Sequence, residues 1–270
     1  MPTSSHFTTF AGLHTGPDLL ILPNAWDAVS ALLAERAGAK AVATSSAVLA
    51  WTHGYPDGER VPLDRHIATA TAITRVIKVP LSVDFEASYA RDTAKIRDNI
   101  GRVLDAGAVG VNLEDGTESP DVLCATIAAT KSAAAAKGAH LWINARVDVV
   151  LKKLTAPEAT LAEVVARAKR YREAGADSIF VPGVFAEDAI ATLVREITAP
   201  LNLLAWAGLP SAATLQRLGV RRLSAGSNLG RAVYNRAFAL AKAFLADGAS
   251  AHFDEPGLIG QDFNAMMKTD

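Results

Sequence analysis

From about residue 19 onward, short apolar runs alternate with helix-length amphipathic segments, a pattern that predicts a parallel sheet whose strands are joined through helices. The candidate strands are Leu19 to Ala25, Ala41 to Ser46, Leu81 to Glu86, Val109 to Glu114, His140 to Arg146, Ser178 to Val181, Leu201 to Trp206 and Arg222 to Ala225. Eight strands in an α/β chain fit a closed (β/α)8 TIM-type barrel. A weak internal echo supports this: Gly38, Gly107, Gly175 and Gly219 each stand where a helix gives way to the next strand, and glycine supplies the left-handed residue that stops a helix. Pro80 and Pro200 mark a second type of junction. A long segment, Ala47 to Pro62, follows the second strand, and long loops in compact domains are usually functional. Asn228 to Asp247 reads as a helix. The tail from about 248 to 270 still carries Phe253, Leu258, Ile259, Phe263 and Met266, which need a surface to cover, either this barrel or a neighbouring subunit. The expectation is one domain over 1–270, with a core at about 19–247 and a C-terminal helical extension.

Composition narrows the partners. With 50% hydrophobic and 20% charged residues, the chain has ample material for a large core. A formal charge of −1 and the lack of any Lys/Arg-rich run argue against nucleic acid and anionic membrane surfaces, which leaves small molecules. No apolar stretch approaches a membrane span, and the first residues do not read as a signal peptide. One cysteine cannot form an intrachain disulfide, so the expected compartment is the cytoplasm.

The candidate chemistry is a cluster of acids. Asp84 and Glu86 close the third candidate strand, Glu114 closes the fourth, and Asp57 lies in the loop Gly54-Tyr-Pro-Asp-Gly. In such a barrel the C-terminal strand ends form the active face. Two like charges ~6 Å apart cost about 3 kcal/mol at an effective dielectric of ~20, a repulsion that a bound cation would turn into ligation. Oxygen ligands suit Mg²⁺ or Mn²⁺, with one or two carboxylates bound directly and the others through water. Arg146 ends the next strand as either a bidentate clamp for a substrate carboxylate or an ion-pair partner for an acid. Ser45, Ser46 and Ala47 offer small residues where backbone N–H groups can approach a carboxylate closely. Asp115 alternates away from Glu114 and reads as structural. Cys124 reads as a small hydrophobe on a helix, and the six histidines show no paired ligand spacing, so zinc is not expected. Ala225-Gly-Ser-Asn-Leu-Gly reads equally as a phosphate turn or as a plain strand-to-helix turn.

These motifs together resemble the isocitrate lyase and phosphoenolpyruvate mutase superfamily, particularly its short bacterial members. Pro23-Asn-Ala-Trp-Asp, Thr44-Ser-Ser-Ala, Gly54-Tyr-Pro-Asp-Gly, Val83-Asp-Phe-Glu-Ala, Gly110-Val-Asn-Leu-Glu-Asp, Asn144-Ala-Arg-Val-Asp and Phe180-Val-Pro-Gly occur in order from Leu22 to about Gly226. The resemblance implies an α/β barrel, commonly a homotetramer with the last helix exchanged between subunits, acting on a 2-oxo acid or related carboxylate with Mg²⁺. It implies Asp84 as the direct metal ligand, with Glu86 and Glu114 holding metal-bound water. Asp57 would lie near metal and substrate, Ser45, Ser46 and Ala47 would cradle the substrate carboxylate, and Arg146 would contact the substrate. One departure changes the expected chemistry. The family's lyases carry a Lys-Lys-Cys-Gly-His loop after the Glu-Asp strand, whereas here Asp115-Gly-Thr-Glu-Ser-Pro runs straight into a helix. The expectation is therefore an Mg²⁺-dependent C–C lyase or, with fewest missing parts, a decarboxylase of an oxaloacetate-like acid. The alternatives are C–P or P–O chemistry, and a non-catalytic 2-oxo acid binder.

Overall fold

The computed structural model describes residues 4–254 and 262–268. Its strands are β1 (Leu20–Leu22), β2 (Asn24–Ala25), β3 (Val42–Thr44), β4 (Leu81–Asp84), β5 (Gly110–Glu114), β6 (Trp142–Arg146), β7 (Ser178–Phe180), β8 (Leu201–Leu204) and β9 (Arg222–Ser224). All pairings are parallel, in the order β1-β9-β8-β7-β6-β5-β4-β3-β2. The first candidate strand is thus two pieces. Pro23 has no N–H for the ladder and interrupts the strand, yet its carbonyl accepts from Ala43 N while Leu22 O accepts from Ala225 N. One side of the break holds β3 and the other holds β9, so the sheet closes into an eight-stranded barrel.

Outward residues of the strands, among them Val83, Val111, Leu113, Ile143, Ile179 and Leu203, are buried against a ring of helices, and this interface is the main hydrophobic core. The ring includes α2 (Ala28–Arg36), α4 (Leu63–Val76), α5 (Thr93–Asp105), α6 (Pro120–Ala136), α8 (Thr160–Glu173), α9 (Glu187–Ile197) and α10 (Ala212–Leu218). Asp27 caps α2, as its position one residue ahead of the apolar pattern suggests: its carboxylate accepts from Ser30 N, and the Ser30 hydroxyl returns a bond to the cap backbone. Gly38, Gly107, Gly175 and Gly219 all adopt positive φ after their helices, the conformation anticipated for them.

Three elements depart from the sequence reading. A helix that the pattern did not reveal, α1 (Ser4–Thr15), plugs the N-terminal end of the barrel, where Phe10 and His14 are fully buried against Trp142. The long segment after the second candidate strand begins with a short helix, α3 (Ser46–Thr52), capped by Ser45, so the true loop is 53–62. The last helix, α11 (Asn228–Asp247), stands where expected but lies off the barrel, with Gly230 as its only buried residue. Between them run a one-turn α7 (Val149–Lys152) and, near the C-terminus, a short α12 (Phe263–Met266). In the tail, Phe253 and Phe263 are about half exposed and Met266 is buried; Leu258 and Ile259 lie outside the described residues. No described helix is long and apolar enough to cross a membrane.

Candidate active site

Asp84 is the last residue of β4 and is held from both neighbouring strands. Its backbone N–H donates to Thr44 Oγ1 (2.8 Å), its Oδ2 accepts from Ser46 N (3.0 Å), and Asn112 Nδ2, its register partner on β5, faces its Oδ1 at 3.5 Å. The strand stops there, so the alternation of strand side chains does not extend to Glu86. Glu86 instead sits in a left-handed turn at φ +50°, a conformation that costs a non-glycine residue about 1–2 kcal/mol. That turn is what brings its carboxyl back toward Asp84. The carboxyl is buried, accepts from Glu59 N (2.7 Å), and lies 3.4 Å from the Tyr89 hydroxyl. Burial first, then the charges of Asp84, Asp57 and Glu114, push Glu86 up to about 8.

Glu114 ends β5 directly opposite Arg146 on β6, and the two form an ion pair at 2.8 Å. Burial raises Glu114 to about 7; Arg146 opposes the rise, and Asp148, Asp84 and Asp57 add to it. Asp57 lies on the exposed rim loop, but partial desolvation and the Asp84 charge still raise it, against hydrogen bonds from Gly58 N and the Ser46 hydroxyl. The charges of Asp84 and Asp57 thus act on both Glu86 and Glu114 at one barrel mouth. Among the described residues, however, no three His, Cys, Asp or Glu side chains converge tightly enough to hold an ion unaided.

Arg146 is less free than a waiting clamp. Besides Glu114 it binds Asp148 Oδ1 through Nε (2.7 Å) and packs over the Phe180 ring, so the ion-pair alternative is the one realised in this structure. Behind it, Asp115 is structural as expected: the fully buried carboxylate accepts from Tyr171 OH (2.7 Å), Arg167 Nη1 (2.9 Å) and Asp148 N (2.8 Å). Asp148 Oδ2 remains buried without a partner. The cradle is also partly engaged. Ser45 spends its hydroxyl on capping α3 and Ser46 its N–H on Asp84, while Ala47 follows on the first turn. His53 turns away to Thr69 Oγ1. Gly226 N donates to Asn24 Oδ1, so the turn before α11 is a plain one.

One contributor escaped the sequence reading. Glu59, at φ +58°, latches the rim loop onto the turn after β4, through its own N–H to Glu86 and through Oε1, which accepts from Tyr89 N at 2.6 Å. Tyr89, at φ +57°, also bonds His66 Nδ1. Only the length of the loop hinted at this, since left-handed φ at Glu and Tyr has no sequence signal.

A family profile for phosphoenolpyruvate phosphomutase matches residues 10–245. An uncharacterised Mycobacterium tuberculosis protein is 35% identical over 219 residues, 81% of this chain and 82% of that one. An oxaloacetate decarboxylase from Pseudomonas entomophila is 29% identical (62% and 59% covered), and a 2-methylisocitrate lyase from Aeropyrum pernix 28% (68% and 60%). Among solved structures, a Burkholderia cenocepacia protein provisionally assigned as a phosphonomutase superposes with a TM-score of 0.84 at 35% identity, covering 88% of this chain and all of that one. A phosphonopyruvate hydrolase solved with oxalate and Mg²⁺ shares the fold, with a TM-score of 0.82 at 23% identity and 96% and 93% coverage. With this barrel and these motifs in place, the chain belongs to the phosphoenolpyruvate phosphomutase family, within the superfamily of mutases and lyases that includes the isocitrate lyases.

Proposed function

We propose that the chain is a divalent-cation-dependent lyase that breaks a C–C bond of a small 2-oxo or 2-hydroxy carboxylate, with loss of CO₂ from an oxaloacetate-like acid as the leading reaction. The observation that carries this reading is the charge imbalance at the barrel mouth: Asp57, Asp84, Glu86, Glu114 and Asp148 outnumber Arg146, and Glu86 and Glu114 are pushed to about 8 and 7. An all-oxygen donor set whose carboxyls are hard to ionise together without a cation fits Mg²⁺ or Mn²⁺. Asp84 would hold the ion directly, and Glu86 and Glu114 through water. When bound, the ion supplies positive charge against the oxygens of the 2-oxo acid.

The chain's own residues do the rest. Arg146 orients a substrate carboxylate when substrate draws its fork from Glu114 and Asp148, and the N-terminal turn at Ser45, Ser46 and Ala47 flanks the same space. Glu114 and Asp57, both raised toward neutrality, can hold or release a proton near the reacting carbons. The connection from Asp115 to Pro120 is short and offers no cysteine. Decarboxylation needs the fewest groups beyond those present. Incubation of the purified chain with oxaloacetate and Mn²⁺ should release CO₂ and pyruvate and stop on addition of EDTA. Fast isocitrate cleavage without oxaloacetate turnover would reverse this ordering. A second reading, C–P chemistry on a phosphonopyruvate-like acid, draws support from the family profile and the 35%-identical Burkholderia structure; phosphonopyruvate in the same screen tests it.

The assembly we propose is a homo-oligomer in which α11 is exchanged. α11 projects from the barrel with Val233, Phe238 and Leu245 exposed, while an apolar groove of about 920 Å³ opens over β1 and α2, lined by Ile21, Leu33, Leu223 and Val233. The place in the helix ring left open by one chain's α11 suits that of another. We assign the assembly to the cytoplasm on the single-cysteine argument.

A further inference from the structure

A fully buried arginine crosses the middle of the barrel below the acid cluster. Arg222 enters from β9, and its Nη2 reaches Asn112 Oδ1 (3.3 Å) on β5, which is four strands away in the closed order and so lies on the opposite wall. Its Nε donates to Ser224 Oγ (2.9 Å), and its Nη1 has no partner. No carboxylate among the described residues forms an ion pair with it, and Asp84 is the anion whose charge it feels. Burial pulls the guanidinium down to about 9, which leaves it charged at neutral pH. Burying an ion that is not directly paired costs several kcal/mol, and such costs tend to persist at functional sites.

The network around it shows what that cost secures. Asn112 Oδ1 accepts from both Asn144 Nδ2 (2.9 Å) and Arg222 Nη2, so both lone pairs are taken by donors. The amide is therefore locked with its Nδ2 toward Asp84 Oδ1. A flipped amide would set an oxygen against the carboxylate and disturb its aim.

We propose that Arg222 is a positioning residue for Asp84, acting through Asn112 from across the barrel axis. The proposal rests on the reading of Asp84 as the direct metal ligand. The test uses the full-length chain with Mn²⁺ as the probe, by titration calorimetry, with melting followed in parallel. Removing Arg222 strands no ion-pair partner among the described residues, and Asn112 Oδ1 and Ser224 Oγ keep Asn144 and Asn202, so Arg222→Met is expected to stay folded. Its Mn²⁺ affinity should fall by ~10- to 100-fold, the usual cost of losing a group that orients a ligand. Loss of charge alone would raise Mn²⁺ affinity, so the sign separates positioning from plain electrostatics. Arg222→Lys retains the charge without the planar reach and guards against a misfolded methionine variant; it too should lose affinity. Adding Asn112→Ala to Arg222→Met should cost nothing further, since both act on one path. Wild-type or stronger Mn²⁺ binding by a folded Arg222 variant, or fully additive losses, would overturn the proposal. A metal-free readout separates it from the metal reading: the Arg222 Nε–H resonance should shift in Asp84→Asn. A wild-type chain that takes up no Mn²⁺ but shows this shift defeats the metal reading alone. Normal uptake with no shift defeats the positioning role alone.

Discussion

Asp84 is held by β3 and β5 together, and its ligand role can be separated from its role in the fold. Asp84→Asn keeps the shape and removes charge from a repelling cluster, so the barrel should melt no lower, while Mn²⁺ binding should weaken beyond the ~10- to 100-fold that loss of an orienting partner costs. Unchanged Mn²⁺ titration would remove Asp84 from the site. For Arg146→Lys, loss of the planar fork should raise the KM for a 2-oxo acid by about 10- to 100-fold, equivalent to the ~1.5–3 kcal/mol of a charged hydrogen bond. An unaltered KM would make Arg146 purely a partner of Glu114 and Asp148. The acids also set a pH dependence. Glu86 and Glu114 rise from 4.5 to about 8 and about 7, so the metal-free folded state binds more protons than the unfolded chain across that window. Their contribution to stability is full below the unfolded value and is lost as pH rises through 7 and 8. In EDTA the melting temperature should therefore fall from about pH 5 to about pH 8, and Mn²⁺ should reverse the fall. A flat profile would show that these carboxyls are not strained.

At the scale of elements, the helix-stopping glycines and the caps are readable locally because each depends on one or two residues. α1 was not read, although Phe7, Phe10 and His14 fall at helical spacing. Its apolar face is short, and only the open bottom of the barrel gives it a partner. Phe10 is fully buried against Trp142 and His14, and a Cβ at Gly110 would meet its ring at 2.8 Å. Phe10→Ala should thus cost about 3–5 kcal/mol in chemical unfolding, with Mn²⁺ affinity unchanged because the plug lies at the end away from the acids. A loss below 1 kcal/mol, the scale of a surface change, would mean that α1 is a loosely attached arm.

For the whole molecule, the bare face of α11 and the open groove over β1 form one problem with one expected answer. Phe238 and Leu245 are 72% and 83% exposed, values that suit contact residues rather than a free surface. Phe238→Asp combined with Leu245→Asp should leave the barrel folded and reduce an oligomer to monomers in sedimentation. Removal of the residues after Gly248 should lower the oligomeric state or the solubility to a smaller extent, because Met266 already has cover within its own chain. A wild-type chain that sediments as a monomer would defeat the exchange.

The sequence by itself determined the barrel and the acids at or near its strand ends, because alternation of short apolar runs with amphipathic helices and residues at strand ends are local signals; the missing cysteine loop was legible only against the family resemblance. It placed Asp57, Asp84, Glu86, Glu114 and Arg146 at one mouth, and the structure gathers them there. Only the tertiary structure decided that Glu86 turns back through a left-handed residue, that Glu59 latches the rim, that Arg146 is paired on both sides, and that Arg222 spans the barrel to Asn112. Each of these depends on groups brought together from distant parts of the chain by sheet closure, and side chains that meet across a barrel leave no periodic trace in sequence.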